Sequence, residues 1–180
     1  MRKVVLMMTA TIDGFVAAPD GKPVGGLQEP AELKRWKLER IRRAGTHIMG
    51  RVSYVEMAKF WPKSSDDYAA PMNDIPKVVF SKKLKEANWP ESSIASGDLA
   101  DEIAALRKQP GGEIIAWGGA GFAQALSKAR LIDEYALVTE PIAYGGGKPL
   151  FLDLEEPMQF EPLATTTYAN GTQLRQYKPR

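Results

Sequence analysis

The 180-residue chain contains no cysteine, which excludes disulfides, zinc ribbons and thiol nucleophiles together. Its one histidine, His47, leaves no basis for a histidine metal site, and a Ser-His-Asp triad would rest on that single imidazole. Charge of one sign is missing as well: 24 Lys and Arg stand against 22 Asp and Glu, a net charge of +2. The basic residues are interleaved with acidic ones and form no stripe, so there is no electrostatic footprint for nucleic acid. Long apolar runs are absent. The run after Met1-Arg2-Lys3 ends at Met8, too short for a signal-peptide core and far below the roughly 20 residues of a membrane span. These absences predict a cytoplasmic protein with no membrane or nucleic-acid partner and no metal.

What is present is the composition of a globule, 44% apolar and 26% charged. A chain of this length can bury roughly 70% of its unfolded surface, enough for one self-sufficient domain over residues 1–180. Val4 to Met8 reads as a strand buried on both faces. A turn-rich connection follows through Asp13-Gly14, Pro19-Asp20-Gly21 and Gly25-Gly26. Pro30 opens a helix with Leu33, Trp36 and Ile41 inward and Gly45 as its stop. Thr46 to Met49 is a second strand and Tyr54 to Ala58 a second helix, closed by Trp61-Pro62. Residues 62–76 read as irregular. Strands at Lys77 to Ser81, Ser92 to Ala95, Glu113 to Trp117 and Ile132 to Thr139 alternate with helices at Leu99 to Lys108, capped by Asp98, and Phe122 to Lys128. Asn170-Gly171 turns a C-terminal hairpin between Thr165 to Tyr168 and Gln173 to Tyr177. Strand-helix alternation with an antiparallel ending implies a three-layer α/β/α domain on a mixed, mostly parallel sheet.

Ligands of such sheets sit outside the carboxyl ends of the strands, where loops feed helix N-termini. Three segments have that character. Met49-Gly50-Arg51-Val52-Ser53 offers a glycine turn, free N–H groups, a guanidinium and a hydroxyl, a set suited to phosphate; a plain helix start with a Ser cap is the alternative. Trp117-Gly118-Gly119-Ala120-Gly121-Phe122 would let a pyrophosphate approach the backbone, unless its glycines serve helix-strand packing. Its spacing differs from GxGxxG. Phe80-Ser81-Lys82-Lys83 ends a strand in a hydroxyl and two cations, suited to a phosphomonoester or simply solvated. Together they describe a dinucleotide stretched across the sheet.

At these residues the chain resembles the dihydrofolate reductase-like superfamily. Thr11-Ile12-Asp13-Gly14-Phe15-Val16-Ala17 looks like the "S-x-D-G-x-x-A" loop after its first strand, and Met49 to Tyr54 like its "G-R-x-T/S-Y/F" element. Lys77 to Lys82 resembles the "V-V-x-S-R/K" strand and Ile115 to Leu126 the "G-G-x-x-L/F" element. Pro141 to Phe151 is similar to the "P-x-x-x-G-x-G-x-P-L-F" segment of one branch, the reductase domain of riboflavin biosynthesis, or RibD C-terminal domain family. The motifs fall in order over almost the whole chain.

The resemblance implies NADPH and reduction of a pteridine-, pyrimidine- or riboflavin-precursor-type substrate. It places Gly50, Arg51, Val52, Ser53 and Gly118, Gly119, Ala120, Gly121 and Phe122 on the cofactor phosphates. Ser81 and Lys82 would lie near the adenosine phosphate. Ala10, Thr11 and Asp13 would border the nicotinamide, with Asp13 aligning substrate or relaying a proton. Trp117, Glu140 and Tyr144 are the substrate-side candidates. Family members carry an acidic residue where this chain has Trp117, and an indole cannot accept a hydrogen bond as a carboxylate does. A nucleotide- or pterin-binding module without turnover is therefore the competing reading. His47, inside a buried strand, reads as a hydrogen-bonded structural residue, and Trp36, Trp61 and Trp89 as core or interface residues. The family further implies a homodimer.

Overall fold

The structure, a computed structural model, describes residues 1–180. Strand β1 (Val4–Thr11) lies inside an eight-stranded sheet, and its first residues have no exposed surface. Val4 and Leu6 point into one apolar cluster with Ile103, Ala123 and Leu126. Val5 and Met7 point into another with Ile41 and Ile115. Because both faces are covered, the strand is continuously apolar rather than alternating.

In chain order the remaining elements are β2 (Phe15–Ala17), α1 (Ala31–Arg42), β3 (Ala44–Gly50), α2 (Arg51–Phe60), a 3₁₀ turn at Trp61–Lys63, and α3 (Ala69–Asp74). They continue with β4 (Lys77–Phe80), β5 (Ser92–Ala95), α4 (Leu99–Lys108), β6 (Glu113–Ala116), α5 (Ala120–Lys128) and β7 (Glu134–Glu140). The chain ends with β8 (Lys148–Pro149), β9 (Phe160–Thr167) and β10 (Gln173–Pro179). The main sheet runs β5-β4-β3-β6-β1-β7-β10-β9, and β2 and β8 form a small antiparallel pair beside it. β5 through β7 in that order are parallel, while β10 pairs antiparallel with both β7 and β9. Helices α4 and α5 cover one face; α1, α2 and α3 cover the other. This is the three-layer, mostly parallel sheet with an antiparallel end that the sequence pattern predicts. No helix is long and apolar enough to cross a membrane.

Two local expectations are corrected. Gly45 does not stop α1; Arg43 is the C-cap, and Gly45 sits in β3. A Cβ at Gly45 would lie 2.7 Å from the Gly112 amide nitrogen and 2.8 Å from the Arg2 guanidinium, so the glycine answers to strand packing rather than to a turn. Residues 62–76 are not irregular throughout, since they hold α3. That helix is too short to persist alone and is held by its surroundings: Met72 is buried, and the Lys77 ammonium donates to the carbonyls of Met72, Asn73 and Ile75 at 3.2, 2.6 and 2.8 Å. Burial pushes the Lys77 pKa down to about 8, and those carbonyls replace the water it loses. The β2–β8 pair, with strands of 3 and 2 residues, is too short to announce itself by periodicity.

Candidate functional site

At the carboxyl edge of the parallel strands lies a cavity of about 550 Å³. Its floor is Met7, Met8 and Thr9 at the end of β1, with Ala136 and Val138 of β7 beside them. One side is formed by the two strand-helix junctions that the glycine motifs mark, Gly50 to Ser53 and Gly118 to Phe122. The other is α1, through Trp36 and Lys37, and the β2–β8 rim with Val16, Ala17 and Lys148.

Both junctions leave donors free. In α4 the Asp98 carboxylate accepts the N–H groups of Ala100 and Asp101, an ordinary side-chain cap. Helices α2 and α5 start at Gly50 and Gly119 with no side-chain oxygen on their first-turn N–H groups, so both positive helix ends open on the cavity. Ser53 does not cap its own helix. Its hydroxyl accepts the Gly119 N–H at 2.5 Å and ties the two junctions together. Gly118 has φ +53°, and a Cβ there would lie 2.8 Å from the Met8 methyl; only glycine fits both the torsion and the floor. A Cβ at Gly121 would meet nothing within 4 Å.

The indole of Trp117 also lines the cavity. Its Nε1 donates to His47 Nδ1 at 3.0 Å, and His47 Nε2 lies 3.2 Å from the Pro71 carbonyl oxygen. His47 therefore carries its proton on Nε2, accepts at Nδ1 and fixes the indole. Burial pushes its pKa down to about 4, so the ring is neutral at physiological pH.

Of the residues predicted from sequence, Gly50, Arg51, Val52, Ser53, Trp117, Gly118, Gly119, Ala120, Gly121 and Phe122 line this one cavity. Others lie elsewhere. β1 runs on to Thr11, so Met7, Met8 and Thr9, rather than Ala10 and Thr11, face the cavity. The Thr11 hydroxyl donates to Asp13 and accepts the Phe15 N–H. Asp13 is exposed and off the cavity wall; its carboxylate also accepts the N–H groups of Tyr144 and Gly145, at 3.1 and 2.8 Å. The Thr11 hydroxyl and the Gly145 N–H hold it below the usual carboxylate range. Asp13 and Tyr144 thus tie the loop after β1 to the loop after β7. Glu140, a substrate-side candidate from sequence, is buried off the cavity lining, and its Oε2 accepts the Leu27 N–H at 3.4 Å beneath the turn-rich connection. Ser81 Oγ accepts the N–H groups of Lys83 and Leu84 in its own turn. It stands just past Phe80, which pairs in register with Gly50, so Ser81 and Lys82 share the strand edge without lining the cavity. Sequence reading missed Lys37, Glu56, Met57 and Lys148 as lining residues, and gave Trp36 to the core. Trp36 and Lys37 lie in the middle of α1, and nothing local in the sequence marks them.

A mixed sheet with glycine-started helices around one edge cavity is the dihydrofolate reductase-like architecture. Within that class, residues 2–174 match the RibD C-terminal domain model, and the chain belongs to that family. It is 26% identical over 176 residues to the uncharacterized protein YyaP of Bacillus subtilis (strain 168), covering 94% of this chain and 91% of YyaP. A Shewanella sp. PV-4 protein provisionally assigned to riboflavin biosynthesis superposes with a TM-score of 0.80 at 21% identity, over 99% of each chain. Dihydrofolate reductase from Enterococcus faecalis, solved in complex with NADP(H), superposes with a TM-score of 0.67 at 17% identity, over 99% of this chain and 96% of that one.

Proposed function

We propose that the protein is an NADPH-dependent reductase of a small heteroaromatic substrate of the pteridine, pyrimidine or riboflavin-precursor type. The observation that carries this reading is the division of the cavity into two unlike halves. One half offers uncapped helix N-termini, Arg51 and close-approach glycines, the donor set of a phosphate cradle. The other is a slot between Met7, Trp36, Ala136 and Val138, the walls of a flat ring site. The NADP(H) complex of the structurally similar E. faecalis enzyme supports the same reading.

The residues fit the cofactor. The first-turn N–H groups of α2 and α5 would take its phosphates, and the open space at Gly121 would admit the pyrophosphate. Arg51, with Lys82 on the same edge, would take the 2′-phosphate by charge-assisted hydrogen bonds. Bound NADPH would supply hydride. The protein positions two rings and excludes water around them. Asp13 keeps its loops together rather than donating the proton, which reaches the substrate from solvent.

The test is fluorescence titration with NADPH and NADH, followed by NADPH oxidation over a panel of pterins, lumazines, uracils and flavin precursors. Tighter, salt-sensitive NADPH binding and turnover of one class is the expected outcome. Saturable binding with no oxidation would favour a non-catalytic module, a reading that the acceptor-free Trp117 wall supports. The proposed assembly is a homodimer through the exposed β9 edge, measurable as sedimentation mass.

A further inference from the structure

His47 has no part in the proposed chemistry. It has no exposed surface and does not line the cavity. Both of its ring nitrogens are nevertheless bonded, each in a direction the fold dictates. The Pro71 carbonyl oxygen, 3.2 Å from Nε2, can only accept, so the proton stays on Nε2 and Nδ1 is left as an acceptor. That acceptor takes the indole N–H of Trp117 at 3.0 Å, with the two rings edge to face and their centroids 5.7 Å apart.

An indole N–H is a donor without an acceptor of its own, and leaving it unpaired in apolar surroundings is costly. Because the N–H of Trp117 is drawn inward to β3, what this side chain offers the cavity is ring carbon. Trp117 is also the residue before Gly118 and Gly119. Three bonds from β3 and the first turn of α2 hold that junction. Ile48 O accepts the Trp117 backbone N–H at 3.0 Å, His47 accepts the indole, and Ser53 Oγ accepts the Gly119 N–H at 2.5 Å. Of the three, the His47 bond is the one that fixes a side chain lining the cavity. Without it, the indole would gain by turning its N–H toward cavity water, and the ring would pull on the glycines that follow.

Building on the reductase reading, we propose that His47 is a positioning residue of the cofactor cavity. As a fixed acceptor it keeps the Trp117 indole carbon-side out and holds the Gly118–Gly119 backbone in place for the cofactor phosphates. It touches neither cofactor nor substrate. Asn and Gln separate its two bonds. The amide of Asn reaches about as far as Nδ1 and can still accept the indole N–H. The amide of Gln reaches about as far as Nε2, so it keeps the donor to Pro71 and offers the indole nothing.

The experiment follows the indole N–H signals of isotope-labelled tryptophan by NMR, beside NADPH titrations of the same proteins. Trp89 Nε1 donates to Asn73 Oδ1 at 2.8 Å, and its signal reports in every variant whether the α3 region remains folded. The Trp117 N–H is expected to exchange slowly in the wild type and in His47→Asn, and about tenfold faster or more in His47→Gln. NADPH affinity should fall about tenfold or more in His47→Gln and by less than about threefold in His47→Asn. In a Trp117→Phe background, which has no N–H to place, His47→Gln should cost less than about threefold, the coupling that marks action through the indole. Equal exchange or equal NADPH affinity in the Asn and Gln variants would overturn the proposal, as would a Gln penalty that persists undiminished in the Phe background. Failure of the reductase reading has a different signature: the Trp117 signal is protected in Asn and released in Gln, while the wild type binds no NADPH.

Discussion

His47 has no exposed surface and sits between an indole donor and a backbone acceptor. Its pKa falls from 6.5 to about 4 through burial, so the folded state resists a proton that the unfolded state accepts. Stability contributed by the neutral ring is complete above pH 6.5 and is lost as pH falls toward 4, by about 3 kcal/mol in all. Unfolding free energies from urea titrations at pH 7 and pH 4 should differ more in the wild type than in His47→Gln by about that amount. Asp13→Asn keeps the shape but puts an amide where backbone donors converge. Hydrogen exchange at Tyr144 and Gly145 is expected to accelerate. Turnover should fall without any change in the acidic limb of the pH profile, whereas loss of that limb would restore Asp13 as the proton donor. Gly119 has φ −50°, which any residue adopts, and a Cβ there would stand 3.2 Å from Ser53 Oγ. Gly119→Val should therefore fold, with a melting point lower by about 2–4 °C for a lost glycine N-cap, and should bind NADPH at least tenfold more weakly. Unchanged NADPH affinity would remove this junction from the cofactor site.

At the scale of elements, α4 is capped by Asp98 while α2 and α5 start at glycines without a side-chain cap, and these two are the ends proposed for the cofactor phosphates. The pull of two helix ends is shared by all phosphates, whereas the proposed contact of the Arg51 guanidinium with the 2′-phosphate would add discrimination. Arg51→Gln is expected to weaken NADPH more than NADH and to flatten the salt dependence of NADPH binding; parallel losses for both cofactors would assign Arg51 to the pyrophosphate instead. These junctions were legible in sequence because glycines and hydroxyls cluster where a strand run ends. The α1 side of the cavity was not. Trp36 and Lys37 carry no motif, and only the tertiary placement of α1 over β1 and β7 turns that helix face into a site. Helix α3 was illegible for a related reason: its hold comes from Lys77 and Asn73 contacts made through the fold, not from a period in six residues.

For the whole molecule, alternating strands and helices made the layered architecture readable, while the strand order was not. Nothing local in Val4 to Met8 says that its neighbours are β6 and β7, because a strand buried on both faces presents the same apolar run to any partner. Val4 pairs with Ile114 and Val5 with Glu134, on the order of a hundred residues downstream, so β1 gains its neighbours only after very large loops have closed. During synthesis β1 leaves the ribosome well before either neighbour, and one of its edges waits unpaired until β7 has followed. A fragment ending before Glu134 should consequently expose β1 as an open edge on one side, bind the dye ANS and aggregate. The same chain extended through β10 should give a sharp, cooperative urea transition. The yield of folded protein in the cell should then follow the rate at which its C-terminal third is translated.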